Sequence, residues 1–314
     1  LLALGRNYIA EGDWLNSLAP LQQCLTDFPA SPISYEARLL AANALTELDK
    51  RDQAIELLRS NLWDYELHPD SPIWKDCFIE LGTLLYQRGQ ASLAKIQNNV
   101  ELPWKEAEPI FQRAHEELVQ AAEHLSEAVY RYPNDHRRNY IRYQLAKAYQ
   151  LAAVLPSQDL KSNQSHIDAN AKLLQNQRNQ LLEKSAVEYE VLHHAIISQR
   201  QTNHDDSLDQ SILRNALFGQ ADVLAELGGY DEAIEAYRTA ATYFSNRPEA
   251  LEALIQIAEC QRKLGREEDA KKTVRQAELV LQRIPPERDA TFVTTTRGDR
   301  RHWEQSLMRL KEWN

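Results

Sequence analysis

Apolar positions along this chain recur at helical spacing in short paired segments, each pair parted by a turn. Leu4, Tyr8 and Ile9 form one face, Gly12 and Asp13 interrupt it, and Leu18, Leu21, Cys24, Leu25 and Phe28 form a second. Pro29 and Pro32 then stop the helix, because proline has no N–H for the helical ladder. A second pair runs from about Ile33 to Leu67, with Tyr35, Leu39, Ala42 and Leu45 on one helix and Ala54, Leu57, Leu58 and Leu62 on the next. The phrase that opens at Gly12 returns at Gly229. Ser17 to Ala54, Ala233 to Ala270 and Ala240 to Ala277 are each separated by 37 residues. Self-similarity at a fixed period predicts a solenoid of antiparallel helix pairs. The small residues Ser17, Ala54, Ala233 and Ala270 mark where paired helices cross most closely.

The middle of the chain is stretched. Leu81, Gly82, Leu85 and Gly89 read as the first helix of a third pair and Ala121, Ala128, Tyr132 and Pro133 as the end of its second, with about 30 extra residues between them. A fourth pair opens with Leu145, Ala146 and Tyr149, meets the polar stretch Pro156 to Ser165, and continues as a long helix to about Gln201. Trp104, Ala107, Phe111, Ala114, Leu118, Ala121, Leu125, Ala128 and Tyr132 alternate strictly at three and four residues, a heptad seam. Ile141, Leu145, Ala148, Ala152 and Leu155 keep that spacing, as do Leu182, Ser185, Tyr189, Leu192 and Ile196. These seams predict three long helices packed as an antiparallel bundle. Pro103 delimits the first and Pro109 starts or kinks it. Ser157 to Asn170 is the expected loop. After Ala277 a Pro- and Thr-rich linker leads to Asp299, the expected N-cap of a last helix carrying Trp303, Leu307, Leu310 and Trp313. Its role is to cap the final repeat. Arg300, Arg301 and Lys311 are too few for a basic membrane anchor. The expected organisation is residues 1–67, N-terminal repeats; 68–203, stretched units; 204–283, C-terminal repeats; and 284–314, linker and capping helix.

Ala221, Leu224, Gly228, Tyr230, Ala233, Tyr237 and Ala240 form a pattern that resembles the tetratricopeptide repeat family. Leu4, Gly5, Tyr8, Gly12, Ser17, Leu21 and Pro29 repeat it at the start, and Ala258, Gly265, Ala270 and Ala277 near the end. The resemblance implies an all-α, right-handed α-solenoid of tetratricopeptide-like repeats with an extended long-helix central section. The family period is about 34 residues, and the longer one here resembles a variant of bacterial envelope-assembly and cell-division accessory proteins, which implies a periplasmic or envelope setting. In the family, the inward helices line a concave groove for peptides. The corresponding positions here include Leu2, Arg6, Leu39, Asn43, Ile79, Thr83, Tyr143, Lys147, Phe218 and Asp222. They do not reproduce the Lys and Asn clamp with which one subgroup captures C-terminal carboxylates. The candidate partner-binding residues are Arg142, Tyr143, Lys147, Asn43, Phe218 and Asp222, a mixed groove suited to an acidic, aromatic or extended segment.

Charge narrows the partner. The net charge of −10 argues against a general nucleic-acid groove. Asp205 to Asp269 holds 14 acidic against 6 basic residues, whereas Arg137, Arg138, Arg142 and Lys147 cluster on one segment. The three cysteines, Cys24, Cys77 and Cys260, fall inside helical patterns as small buried fillers and exclude a disulfide framework. No apolar run approaches the roughly 20 residues that span a bilayer. Leu1 already lies within a helical pattern, so the chain is expected to be a piece of a longer protein.

Candidate chemistry is sparse. Glu190 and His193 share a helix face beside His194, but a four-helix metal site needs a second Glu-x-x-His and none occurs. His115 lacks the second histidine of a zinc peptidase helix. His204 with Asp205 and Asp206 reads as a loop and N-cap cluster, Gly228 and Gly229 as a helix–helix turn, and Asn163 as a bare glycosylation sequon. No catalytic residue, cofactor or metal is therefore expected. The leading expectation is a non-catalytic scaffold that binds another protein or peptide, in a bacterial multiprotein or envelope-associated assembly. The alternatives are a self-assembling structural spacer and a helical enzyme with a metal site in the central bundle.

Overall fold

A computed structural model describes residues 1–98, 102–162, 168–200 and 207–311, and all regular structure among them is helical. The chain divides into two compact units, residues 1–175 and 176–314.

The first unit begins with two regular hairpins. α1 (Leu2–Ala10) pairs with α2 (Trp14–Asp27), and α3 (Ile33–Glu47) with α4 (Arg51–Leu62). Leu21, Cys24, Ala37 and Ala41 form a core that joins the two hairpins. α1 packs on α3 as well as on α2, the contact that turns separate hairpins into a stack. Leu4 and Phe28, expected on the apolar faces, are about half exposed. Gly5 takes the buried place instead, because a Cβ there would lie 2.6 Å from the Leu21 side chain.

The extra residues of the middle lengthen helices. α5 (Pro72–Gln97) has 26 residues and α6 (Trp104–Arg131) has 28, giving a hairpin about 40 Å long at 1.5 Å per residue. Ser71 caps α5 by accepting from the Trp74 N–H at 3.1 Å, with Pro72 at the first helical position, where its missing N–H costs nothing. Two glycines of α5 meet two leucines of α6: a Cβ at Gly82 would lie 3.1 Å from Leu125, and one at Gly89 only 2.7 Å from Leu118. The α6 seam from Ala107 to Ala128 is buried against α5 and α7 (Arg138–Ala152). Pro103 is the N-cap of α6 and Pro109 lies within it, near its start. The stretch from Ser157 is helical, in contrast to the expected loop: α8 (Val154–Ser162) continues there, with the Ser157 hydroxyl bonded to the Ala153 carbonyl at 2.7 Å. Pro156 falls in the first turn of α8, where no intrahelical donor is lost. The rest of that expected loop, 163–167 with the Asn163 sequon, lies outside the described residues.

The second unit holds the remainder of α9 (Asp168–Arg200) from residue 176 onward, followed by α10 (Ser207–Leu227), α11 (Tyr230–Tyr243), α12 (Pro248–Lys263) and α13 (Glu267–Arg283). The α9 seam of Leu182, Ser185, Tyr189, Leu192 and Ile196 is buried. Tyr189 lies against Gly219 of α10, where a Cβ would be 2.6 Å from its ring. Of the three helices expected to be long, α6 and α9 are, lying on α5 and α10, whereas the third seam ends with α7 after 15 residues and Leu155 falls in α8. The segment expected as a linker contains a 3₁₀ turn (Pro286–Arg288) and α14 (Asp289–Thr295). Burial of Phe292 explains the difference, because its ring joins a core with Val274, Leu281, Trp303 and Leu307 and holds the short helix in place. α15 (Arg300–Lys311) closes this core, with Asp299 accepting the His302 N–H at 2.7 Å as the expected N-cap. Trp313 lies outside the described residues.

One turn motif recurs in the regular hairpins. Gly12, Asp49, Gly228 and Gly265 adopt φ of 75, 59, 86 and 72°, and residues 12 to 49 and 228 to 265 are both 37 apart. The next N–H bonds back across the helix end each time: Asp13 to Tyr8 at 2.8 Å, Lys50 to Leu45 at 2.8 Å, Gly229 to Leu224 at 3.0 Å and Arg266 to Gln261 at 2.9 Å. This 6→1 bond is the Schellman closure of a left-handed helix end. It returns the chain so that Ser17, Ala54, Ala233 and Ala270 are all at most 1% exposed. Ala233→Glu is expected to destabilise the second unit by about 3 kcal/mol or more through overpacking and an unpaired buried charge. Thr239→Glu, on the exposed face of the same helix, should stay within about 0.5 kcal/mol. Denaturant unfolding of the two variants checks the register, and equal effects would refute it.

Candidate peptide-binding face

In the first unit the leading helices of successive hairpins form a row: α1 packs on α3, α3 on α5, and α5 on α7. Polar side chains stitch this row. Arg6 of α1 pairs with Glu36 of α3, and the Thr83 hydroxyl of α5 donates to Gln144 of α7 at 3.0 Å. Just before α7, Arg137 bonds Asp76 of α5 at 2.7 Å and Asp135 at 3.0 Å, and Lys75 reaches Asp135 at 3.0 Å. The Arg137 hydrogen bonds hold the Asp135 carboxyl far below the ordinary carboxylate range.

Arg142, Tyr143 and Lys147 lie within two turns of α7, all half-buried, and Lys147 donates to Gln150 at 3.0 Å. Asn43 is half-buried on α3. Tyr86 of α5 is buried, which raises its phenol pKa, and it lies near Tyr143 and Tyr140 of α7. Tyr143 of α7 thus stands beside a buried tyrosine of α5, with Arg142 and Lys147 on the same helix as Tyr143. Tyr86 and Tyr140 were missing from the sequence reading, which follows faces within a helix and not contacts between helices.

The second unit contains Phe218 and Asp222, one turn apart on α10. Phe218 is buried and meets the Tyr237 ring edge-on at 6.3 Å. Asp222 accepts from the Tyr237 hydroxyl and pairs with Arg297, which follows α14. The same guanidinium lies 2.9 Å from Glu252 of α12. Arg214 of α10 donates to the Thr294 carbonyl at 3.0 Å, so the end of α14 is tied to α10 as well. α14 itself packs on α12. The leading helices of these two hairpins are therefore spanned by the chain's own segment 294–297. Burial pushes the Glu252 carboxyl up to about 7, with Asp222 adding to the rise and Arg297 and Arg214 opposing it. Arg297 and Glu252 carried no sequence signal, because the contact joins residues 45 positions apart in an irregular segment.

Among the described residues no group of three or more His, Cys, Asp or Glu side chains is placed to hold a metal ion. His193, on the helix face it shares with Glu190, is buried: its Nε2 is 2.9 Å from Gln220 Oε1, and burial lowers its pKa. His115 Nδ1 is 2.8 Å from the Ala152 carbonyl oxygen and joins α6 to α7. His204 lies outside the described residues. No described helix is long and apolar enough to cross a membrane.

Residues 215–246, the α10–α11 hairpin with its left-handed Gly228, match the tetratricopeptide repeat family. The chain contains a tetratricopeptide repeat. Solved structures with similarity to it include the protein titled MamA AMB-1, with 16% identity, a TM-score of 0.38, and coverage of 82% of this chain and 97% of the other. A tetratricopeptide repeat protein from Parabacteroides merdae ATCC 43184 has 15% identity and a TM-score of 0.34 over 99% of this chain and 97% of its own. The P58(IPK) TPR domain has 14% identity and a TM-score of 0.21 over 100% and 98%. No curated protein sequence matches the chain.

Glu252 makes the second unit pH-sensitive. The folded unit keeps this proton up to about pH 7, whereas the unfolded chain releases it near 4.5, so this group's contribution to stability is present at low pH and declines as pH rises across that window. Glu252→Gln removes the titration. Between pH 5 and pH 8 the stability of Glu252→Gln relative to wild type should shift by about 3 kcal/mol in favour of the glutamine. Urea unfolding at the two pH values measures it, and an unchanged difference would show that Glu252 does not titrate in this range.

Proposed function

We propose that this protein is a non-catalytic scaffold whose tetratricopeptide-like hairpins bind another protein through an extended segment laid along the leading helices. The observation that carries this reading is the row α1, α3, α5 and α7, with Arg142, Tyr143 and Lys147 half-buried on α7, in a repeat architecture built for protein contact. Tetratricopeptide repeats are generally protein-interaction modules. The net charge of −10 favours protein over nucleic acid as the partner. The local excess of Arg142 and Lys147 beside Tyr143 suits a segment carrying acidic and aromatic side chains. The 37-residue period supports a bacterial multiprotein or envelope-associated assembly as the setting.

A displayed library of random 16-residue peptides, panned against the whole chain, tests the reading. Enrichment of sequences that combine Asp or Glu with Tyr, Phe or Trp is expected. Arg142→Glu with Lys147→Glu should weaken the selected peptides at least about tenfold, compared at a temperature where circular dichroism shows both chains folded. Peptides that bind both chains equally would move the site away from α7, and a chain that retains no peptide would remove the scaffold reading.

A further inference from the structure

The segment after α14 ends on the leading helices of the second unit through one side chain. Arg297 is half exposed, yet it pairs with acidic side chains on two different helices, Asp222 of α10 and Glu252 of α12. Glu252 is 5% exposed at its side chain. Deleting the cation alone would leave Glu252 with Arg214 as the remaining cation that acts on it, so that it stays ionised only at the cost of a poorly compensated buried charge and otherwise takes up a proton. Displacement of Arg297 therefore requires a replacement cation or a proton on Glu252.

The geometry selects which cation. The two acids sit on separate helices, so the ligand must present donors in more than one direction from one planar centre. A guanidinium does this: one terminal nitrogen serves Asp222 while Nε lies 2.9 Å from Glu252. The Tyr237 hydroxyl donates to Asp222 and positions the acceptor. Beside Arg297 a cleft of about 400 Å³ opens between α12 and α15, lined in part by Ile255, Glu259, Trp303, Arg309 and Leu310. It leaves room for residues flanking an incoming arginine.

We propose that Asp222 and Glu252 form an arginine-recognition subsite on the ligand face of the second unit, occupied in cis by Arg297 and opened when a partner's arginine-bearing segment replaces it. This rests on the reading of the leading helices as the partner-binding face. The segment 294–297 is then an autoinhibitory strap. Its tether gives Arg297 a high effective concentration, so only a partner with additional contacts in the neighbouring cleft displaces it.

Chemical rescue tests the subsite without any partner. At about pH 8.5, where Glu252 is ionised in the wild type, Arg297→Ala in the full chain should melt below wild type, and 20 mM argininamide should raise its midpoint by about 2–4 °C, with lysinamide giving less than half of that. Wild type and Arg297→Ala/Glu252→Gln should not respond. Equal responses of wild type and Arg297→Ala, or none from either, would overturn the subsite. If Arg297→Ala does not fold, Arg297→Lys takes its place, since it keeps the charge but not the fork; argininamide should then stabilise it more than lysinamide does, and equal effects of the two amides would overturn the proposal. The strap is tested by panning the same peptide library. Arg297→Ala should enrich arginine-bearing peptides at least about tenfold over wild type, and Asp222→Asn should abolish the gain. If wild type retains acidic and aromatic peptides while Arg297→Ala gains nothing, the strap is wrong and the scaffold reading stands. If no chain retains any peptide the scaffold reading fails, and the argininamide response alone decides the subsite.

Discussion

Close crossing of the two helices in each hairpin is the constraint from which the rest of this structure follows. Ser17, Ala54, Ala233 and Ala270 are buried where the helices meet, and interiors packed as tightly as organic crystals leave no space there for a larger side chain. A left-handed residue with its 6→1 hydrogen bond directs the chain into the crossing each time. Small residues alone would allow many angles, and a tight turn alone would not bring the backbones together. The two act as a pair, five residues apart, in all four regular hairpins.

The long helices solve the same problem with different residues. α5 offers Gly82 and Gly89 to Leu125 and Leu118 of α6, and α10 offers Gly219 to the ring of Tyr189. Here one helix gives up its side chain so that the other can insert a large one. Such sites transmit strain readily, since a Cβ has no free space and the neighbouring backbone must shift. They also explain why heptad-patterned seams remain inside the units: each seam already has a fitted partner along its length.

Polar contacts then set the character of the exposed row of helices. In the first unit they link neighbouring leading helices, and the Arg137 cluster holds Asp135 ionised well below the usual carboxylate range. In the second unit the corresponding acids are satisfied from outside the repeats by Arg297. A buried acid whose carboxyl is pushed up to about 7 is a poor stability device.

The helix pairs, the 37-residue register, the proline stops, the small crossing residues and the Asp299 cap were legible in the sequence, because each depends on neighbours a few positions away or on a pattern that repeats. Asp49 shows where that legibility weakens: it takes the same left-handed turn as Gly12 but lacks the glycine that announces it. Leu4 failed because periodicity identifies a face and not what covers it, α8 because its polar composition reads as loop, and α14 because Thr-rich composition reads as loop until Phe292 has a core to enter. Of the candidate site, the sequence placed Arg142, Tyr143 and Lys147 on one helix, while Tyr86, Glu252 and Arg297 joined the description only in three dimensions. The repeat and its turns follow from the linear chain, since local hydrogen bonding and side-chain volume fix them. Which charges meet follows from packing alone, because the contacts among residues 222, 252 and 297 depend on distances that no spacing along the chain encodes.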